Sequence, residues 1–197
     1  MNILESFYGR IESEELEYAE NEVALRLKTD RGYTNDLIEK CKAILLENVD
    51  CRYSAKRITL NISGNTVDFG GFTVESKELA RLLSGCSECY MFGVTLGNRV
   101  DFLLKRLSAS SLAEHYITDA LASALAESAA DKAEDIIKEN RISTNRFSAG
   151  YGDFPLEKQA DILALLDAQK LLGITLSKTY LMTPQKSITA VFGVKNN

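Results

Sequence analysis

From Asn98 to Ala149 the chain contains neither glycine nor proline, so neither backbone freedom nor a missing N–H interrupts a helix there. Ser111-Leu112-Ala113-Glu114 has the spacing of a capping box, and from there Ile117, Leu121, Leu125, Ala129, Ala133 and Ile137 recur every four residues. That period predicts one amphipathic helix of about 28 residues, ~42 Å long at a rise of ~1.5 Å per residue. Ala120, Ala122, Ala124, Ala126, Ala129, Ala130 and Ala133 keep its surface low. A second backbone can approach closely, either as tight packing within one domain or as a docking face.

Around this helix the pattern is mixed. Thr34 to Leu46 reads as an amphipathic helix through Leu37, Ile38, Cys41, Ile44 and Leu45. Ile58, Leu60 and Ile62 alternate with polar residues, Gly64-Asn65 supplies a turn, and Val67 with Phe69 begins a return strand before Phe72-Thr73-Val74. Ser76 to Leu83 reads as a short helix capped by Ser76. Tyr90 to Thr95 is an apolar strand that passes through Gly97 into the helix containing Val100 to Leu104. Beyond Pro155, Leu156, Ala160, Leu163 and Leu166 mark a helix closing near Gly173. Ile174 to Leu181 and Ser187 to Val194 then read as two strands. Helices and strands come in blocks without βαβ alternation, so the expected class is α+β, a mainly antiparallel twisted sheet with flanking helices.

Composition narrows the functions. The 197 residues carry 23 lysines and arginines against 28 aspartates and glutamates, a net charge of −5. The cations are scattered, so counterion release from a nucleic acid would be weak, and no nucleic-acid partner is expected. The acidic stretch from Glu12 to Glu22 reads as a solvated surface. No charged-then-apolar leader follows Met1, and no apolar run approaches the ~20 residues that cross a bilayer. The expected location is the cytoplasm, with no membrane partner. Cys86 and Cys89 form the one C-x-x-C pair, but a zinc site needs further ligands and the single histidine, His115, lies in the long predicted helix. The cysteines read as small core or surface thiols. No nucleophile–base pair, P-loop or G-x-G-x-x-G is present, so no catalytic residue and no metal ligand is assigned.

The helical run ends at Asn145-Arg146-Phe147-Ser148-Ala149-Gly150-Tyr151-Gly152-Asp153-Phe154-Pro155. Gly150 and Gly152 permit positive φ and close ligand approach. Arg146 offers a fork of donors suited to a carboxylate or phosphate, and Tyr151 an aromatic face with one hydroxyl. Pro155 fits the first turn of the next helix, with Asp153 or Phe154 as its cap. The stretch reads either as an anion-binding loop or as an interhelix connection whose arginine pairs with a surface carboxylate.

The same stretch, Arg146-x-x-x-Gly150-Tyr151, resembles the R-x-x-x-G-Y signature of the activation domain of cobalamin-dependent methionine synthase. Tyr90 to Gly97, the helix from Ala113 to Ile137, Gly173-Ile174 and Met182-x-Pro184 with Lys186-Ser187-Ile188 follow in that family's order. The resemblance covers about Tyr90 to Val194. It implies that residues 86–197 form an S-adenosylmethionine-binding core on which an N-terminal helix and hairpin subregion, residues 1–85, is packed. It implies a reactivation subunit, a component of a methyltransferase in methionine biosynthesis. Such a subunit supports reductive methylation of cob(II)alamin held by the cobalamin-binding module of a separate methionine synthase that lacks this domain. A flavodoxin or similar donor supplies the electron. Reduced cobalt is then the nucleophile and a sulfonium the leaving group, in keeping with the missing acid–base residues.

By position, the resemblance gives Arg146 the methionine carboxylate, Ala149, Gly150 and Tyr151 the main chain lining the groove, and Glu127 a groove-facing carboxylate. Some positions depart from the family. An aspartate that contacts the ligand in the large enzymes has no match, a glutamate expected six residues before the arginine is Asn140, and the later tyrosine-bearing segment of the large enzymes is expected to be absent. The alternative is a corrinoid-protein docking module that has lost S-adenosylmethionine binding.

Overall fold

The computed structural model describes residues 2–17, 23 and 35–195. The acidic stretch is described only as far as Glu17, and the remainder of its run to Glu22 lies outside the described residues. The first half of the chain supplies β1 (Ile3–Arg10), α1 (Asn35–Leu46), β2 (Arg52–Thr59), β3 (Asn61–Ser63), β4 (Thr66–Asp68), β5 (Thr73–Glu75) and α2 (Lys77–Leu82). The second supplies β6 (Cys86–Thr95), α3 (Asn98–Ser110), α4 (Leu112–Lys138), α5 (Gln159–Leu165) and α6 (Ala168–Leu171). Three strands close it: β7 (Thr175–Leu176), β8 (Met182–Thr183) and β9 (Ser187–Lys195).

The main sheet is antiparallel throughout, in the order β1-β2-β6-β9. Because β1 and β2 are bonded into it beside β6, the N-terminal and C-terminal parts of the chain share one sheet. The α+β class with a mainly antiparallel sheet is the observed one.

The central strands are apolar on both sides because both faces are covered. Tyr90, Phe92 and Val94 of β6 and Ala190, Phe192 and Val194 of β9 join one core with residues of α1, α3 and α4. The intervening residues, Cys89, Met91 and Val191, join a second core with α2, α5, α6 and the small β3-β4-β5 sheet. This is the period-two alternation of a strand read out on two layers.

The long helix runs for 27 residues, and its alanines are packed inside the domain instead of forming an exposed docking face: Ala122, Ala129, Ala130 and Ala133 are fully buried. Its capping box is only half made. The Ser111 hydroxyl accepts the Glu114 N–H at 3.4 Å, but the Glu114 carboxylate reaches Lys40 of α1 at 2.8 Å. Among the described residues no helix is long and apolar enough to cross a membrane.

Three expectations are corrected. Ile58 and Ile62 belong to different strands, because the chain leaves the main sheet at Leu60, whose N–H donates to Ser87 O at 3.0 Å. The single helix expected after Pro155 is a 3-10 turn (Leu156–Lys158) followed by α5 and α6. The break falls at Asp167, with φ 53°, where Ser54 donates to Leu166 O at 3.0 Å and Lys56 pairs with Asp167 at 2.8 Å. The Ser54 hydroxyl thus takes up a carbonyl that a continuous helix would bond internally, and Lys56 holds the Asp167 side chain beside it. Ile174 to Leu181 is a strand only at β7. The Ser177 hydroxyl accepts the N–H groups of Thr179 and Leu181, and Tyr180 has φ 61°, so the segment turns back to β8.

Ala129 is fully buried in the core that α4 shares with the main sheet. Ala129→Leu is expected to destabilise the fold by about 1–3 kcal/mol, read as a lower urea midpoint with unchanged slope.

Candidate functional site

Between α4 and the 3-10 turn the chain runs beside the outer edge of β9. Thr144 N–H donates to Gly193 O at 3.0 Å, Phe147 N–H to Val191 O at 2.9 Å, and Val191 N–H returns to Phe147 O at 2.9 Å. Extended backbone sends neighbouring side chains to opposite faces. Arg146 accordingly reaches α4, while Phe147 packs on the second core, its ring stacked on that of Phe154 at 6.1 Å.

After Phe147 the chain folds into a self-bonded turn. Gly150 N–H donates to Phe154 O at 2.8 Å and Phe154 N–H to Tyr151 O at 3.0 Å. Gly150 and Gly152 have φ of 91° and 53°, and a Cβ on Gly152 would lie 2.0 Å from the Glu78 carboxylate. These two positions need glycine for shape, and the Gly150 N–H is already committed within the turn.

The turn is tied to the rest of the molecule by Asp153. Its carboxylate accepts the Ser76 hydroxyl, the Lys77 N–H at 2.7 Å and the Glu78 N–H at 3.3 Å. Asp153 or Phe154 was expected to cap the following helix; neither does, and Asp153 caps α2 instead, jointly with Ser76, whose hydroxyl accepts Leu79 N–H at 3.0 Å. Hydrogen bonding from Ser76, and then from the α2 amides, holds the Asp153 carboxyl below its ordinary value. Pro155 stands at the cap position of the 3-10 turn in extended conformation.

A groove of about 310 Å³ opens between this loop, α4 and the start of β9, and Glu127, Arg146, Ala149 and Tyr151 line it. Four of the five residues singled out from sequence therefore meet on one groove, and Gly150 shapes the loop beside it. Tyr151 stands at the surface, 67% exposed, and Ala149 is buried.

Arg146 Nη2 donates to Glu127 at 2.9 Å, while Nη1 bonds Asp131 and lies 3.5 Å from Glu134. Burial works against its charge, but the bond to Asp131 and the attraction of all three carboxylates outweigh it and hold the guanidinium above its ordinary value. The arginine is paired with carboxylates, as the interhelix reading expected, and it also lines a groove.

Sequence reasoning missed the groove's floor. Gln159 is 3% exposed and its amide donates to Thr189 Oγ1 at 2.7 Å and approaches Met182 Sδ at 3.4 Å. Ser187 bonds Thr95 at 2.8 Å and Pro184 O at 2.7 Å. A buried glutamine at the first position of an apolar helix was the available signal, since such a group needs a polar partner. Asp131 and Glu134 were missed as well, although they lie one and two turns beyond Glu127 on the same helix.

The groups considered for other chemistry lie apart. His115 Nδ1 is 3.1 Å from Leu104 O at the junction of α3 and α4. Cys41, Cys51, Cys86 and Cys89 are buried and unbonded to one another, and burial pushes the Cys51 thiol up to about 12 and the Cys89 thiol higher still.

An antiparallel α+β domain with a groove between its longest helix and the segment flanking its last strand is the class that these features define. The family described as "Vitamin B12 dependent methionine synthase, activation domain" matches residues 84–197, and the chain belongs to that family. Among solved structures it is similar to the MetH reactivation domain bound to AdoHcy, with a TM-score of 0.72 and 15% identity over 96% of this chain and 78% of the other. No curated protein sequence matches it.

Asp153 contributes to the fold as a carboxylate. With its folded value lowered, that contribution is complete above the ordinary value of 3.8 and fades as pH falls through the lowered one. Thermal melts are expected to place Asp153→Ala below the parent at pH 7, with the gap closing below pH 3.8; a gap independent of pH would show that the charge is not what anchors the loop.

Proposed function

We propose that the groove binds S-adenosylmethionine and that the protein serves as the reactivation component of a cobalamin-dependent methionine synthase. The partner in this reading is the cobalamin-binding module of a methionine synthase without its own activation domain, and the setting is the cytoplasm. The observation that carries the reading is the meeting of Arg146, Glu127, Ala149 and Tyr151 on one groove in a chain of the activation-domain family. The AdoHcy bound to the similarly folded MetH reactivation domain supports it.

In this reading Arg146 takes the ligand's carboxylate with charge-assisted hydrogen bonds, and Tyr151 borders the open side of the groove. The partner's corrinoid would supply the nucleophilic cobalt, after a flavodoxin or similar donor returned one electron to it. This chain would present the sulfonium's methyl to that nucleophile, with S-adenosylhomocysteine as the leaving group. This chain's work is to position the donor and exclude competing acceptors.

Calorimetric titration tests the site. S-adenosylmethionine is expected to bind saturably, and Arg146→Ala to lose about 1.5–3 kcal/mol, roughly 10- to 150-fold in affinity. Affinity unchanged in Arg146→Ala would refute the assignment. The protein plus a reductant is also expected to restore turnover to a methionine synthase deprived of its activation domain.

One observation favours a second reading, a corrinoid-protein docking module that carries no methyl donor: Arg146 already has three carboxylate partners. Association with a corrinoid protein, with no heat from S-adenosylmethionine even in the complex, would favour it.

A further inference from the structure

We infer that Gln159 is a further ligand-binding residue of the groove and that its amide holds the adenosine half of the ligand, away from the carboxylate clamp. The inference rests on the donor-binding reading of the groove. Gln159 lines the groove and is only 3% exposed. A primary amide has two N–H donors and an oxygen with two lone pairs. The Thr189 hydroxyl uses one of each: it accepts from Nε2 at 2.7 Å and donates to Oε1 at 3.0 Å. The amide's other partner among the described residues is the Met182 thioether, 3.4 Å from Nε2, and such a sulfur is a weak acceptor. A nearly buried N–H beside a groove, with a thioether as its second partner, gains a full hydrogen bond when a ligand brings oxygen or nitrogen to it.

The place of Gln159 in the fold decides which part of the ligand it meets. Thr189 and Val191 share one face of β9, and Val191 belongs to the second core with residues of α5. Arg146 reaches the opposite layer, where it bonds Glu127 of α4. The groove thus has a charged wall on the α4 side and a neutral, hydrogen-bonding floor on the α5 side, completed by Met182 and Thr189. S-adenosylmethionine is divided in the same way. Its carboxylate lies at one end; adenine and ribose, uncharged and rich in nitrogen and hydroxyl acceptors, lie at the other. With the carboxylate on Arg146, a ligand extended along the groove brings its nucleoside to Gln159. The bonds to Thr189 fix the amide before the ligand arrives, which lowers the ordering cost of binding.

The experiment follows the Gln159 side-chain amide signals of the full chain by nitrogen–proton NMR, assigned by triple resonance, as S-adenosylmethionine, methylthioadenosine or methionine is added. The first two are expected to shift those signals and methionine to leave them in place. Competition calorimetry supplies the affinities. Gln159→Met is expected to weaken S-adenosylmethionine and methylthioadenosine about two- to tenfold, the loss of one neutral hydrogen bond, and to leave methionine unchanged. Arg146→Ala is expected to weaken S-adenosylmethionine and methionine and to spare methylthioadenosine. Because Gln159→Met leaves the Thr189 hydroxyl without its amide, Gln159→Met combined with Thr189→Val, which removes both polar partners together, provides the folded comparison, checked by thermal melts.

Amide signals unmoved by S-adenosylmethionine that still binds through Arg146, or equal losses for methylthioadenosine and methionine in Gln159→Met, would overturn the inference alone. Failure of S-adenosylmethionine to bind, or binding indifferent to Arg146→Ala, would overturn the donor-binding reading and this inference with it.

Discussion

The reciprocal hydrogen bonds between Phe147 and Val191, extended by Thr144 to Gly193, carry more of this structure than their number implies. They cover the outer edge of β9, which would otherwise present unpaired N–H and C=O groups to other chains. They also impose strand alternation on a segment with no strand-like sequence, so Arg146 and Phe147 must face opposite layers. One residue then reaches the carboxylates of α4 and the next enters the second core. A slip of one residue would exchange a guanidinium for a phenyl ring in that core, which is why the register is strongly specified.

α4 answers with a polar stripe. Asp119, Ser123, Glu127, Asp131 and Glu134 follow one another at helical spacing along the side that meets β9 and the loop. Lys186 bonds Asp119 at 2.7 Å and Ser123 at 2.8 Å at one end, and Arg146 gathers the carboxylates at the other. Two cations flanking the groove are thus fastened to one rigid element. Between them Gln159, Thr189, Ser187 and Thr95 satisfy each other's hydrogen bonds beneath the surface, which makes the floor a fixed bed instead of a set of competing rotamers.

The long helix, the strand beginning before Tyr90 and the last strand were legible because their periods are regular and their residues apolar. β1 and β2 as far as Arg57 were not, although both belong to the main sheet. Arg52-Tyr53-Ser54-Ala55-Lys56-Arg57 looks polar, yet Ser54 and Ala55 are buried, and Lys56 and Arg57 extend their stems over the sheet to reach Asp167, Glu5 and Glu88. Local composition cannot distinguish such a strand from a loop. The break at Asp167 was hidden for the same reason, since the residues that cause it lie more than a hundred positions earlier in β2.

The site was legible in part, and the division is physical. Arg146, Gly150 and Tyr151 announce themselves by type, because a helix-rich chain gains nothing from placing them together unless a loop must hold a shape. Glu127 came only by resemblance, since a lone carboxylate on a helix has solvent as its default partner. The decisive clue lay in a wider window. From Asp119 to Glu134 the helix places acidic or hydroxyl residues on one stripe while alanine, leucine and isoleucine bury most of its remaining surface. A helix so enclosed does not leave five polar side chains on one line by chance of solvation. They need a cationic or polar neighbour, and of the two guanidinium groups in the segment that follows, Arg141 is bonded to Tyr90 while Arg146 reaches the stripe. That a cation meets the stripe follows from charge and period, but which arginine does so is fixed by the pairing of Phe147 with Val191, and it is this pairing that turns a connection between helices into the wall of a groove.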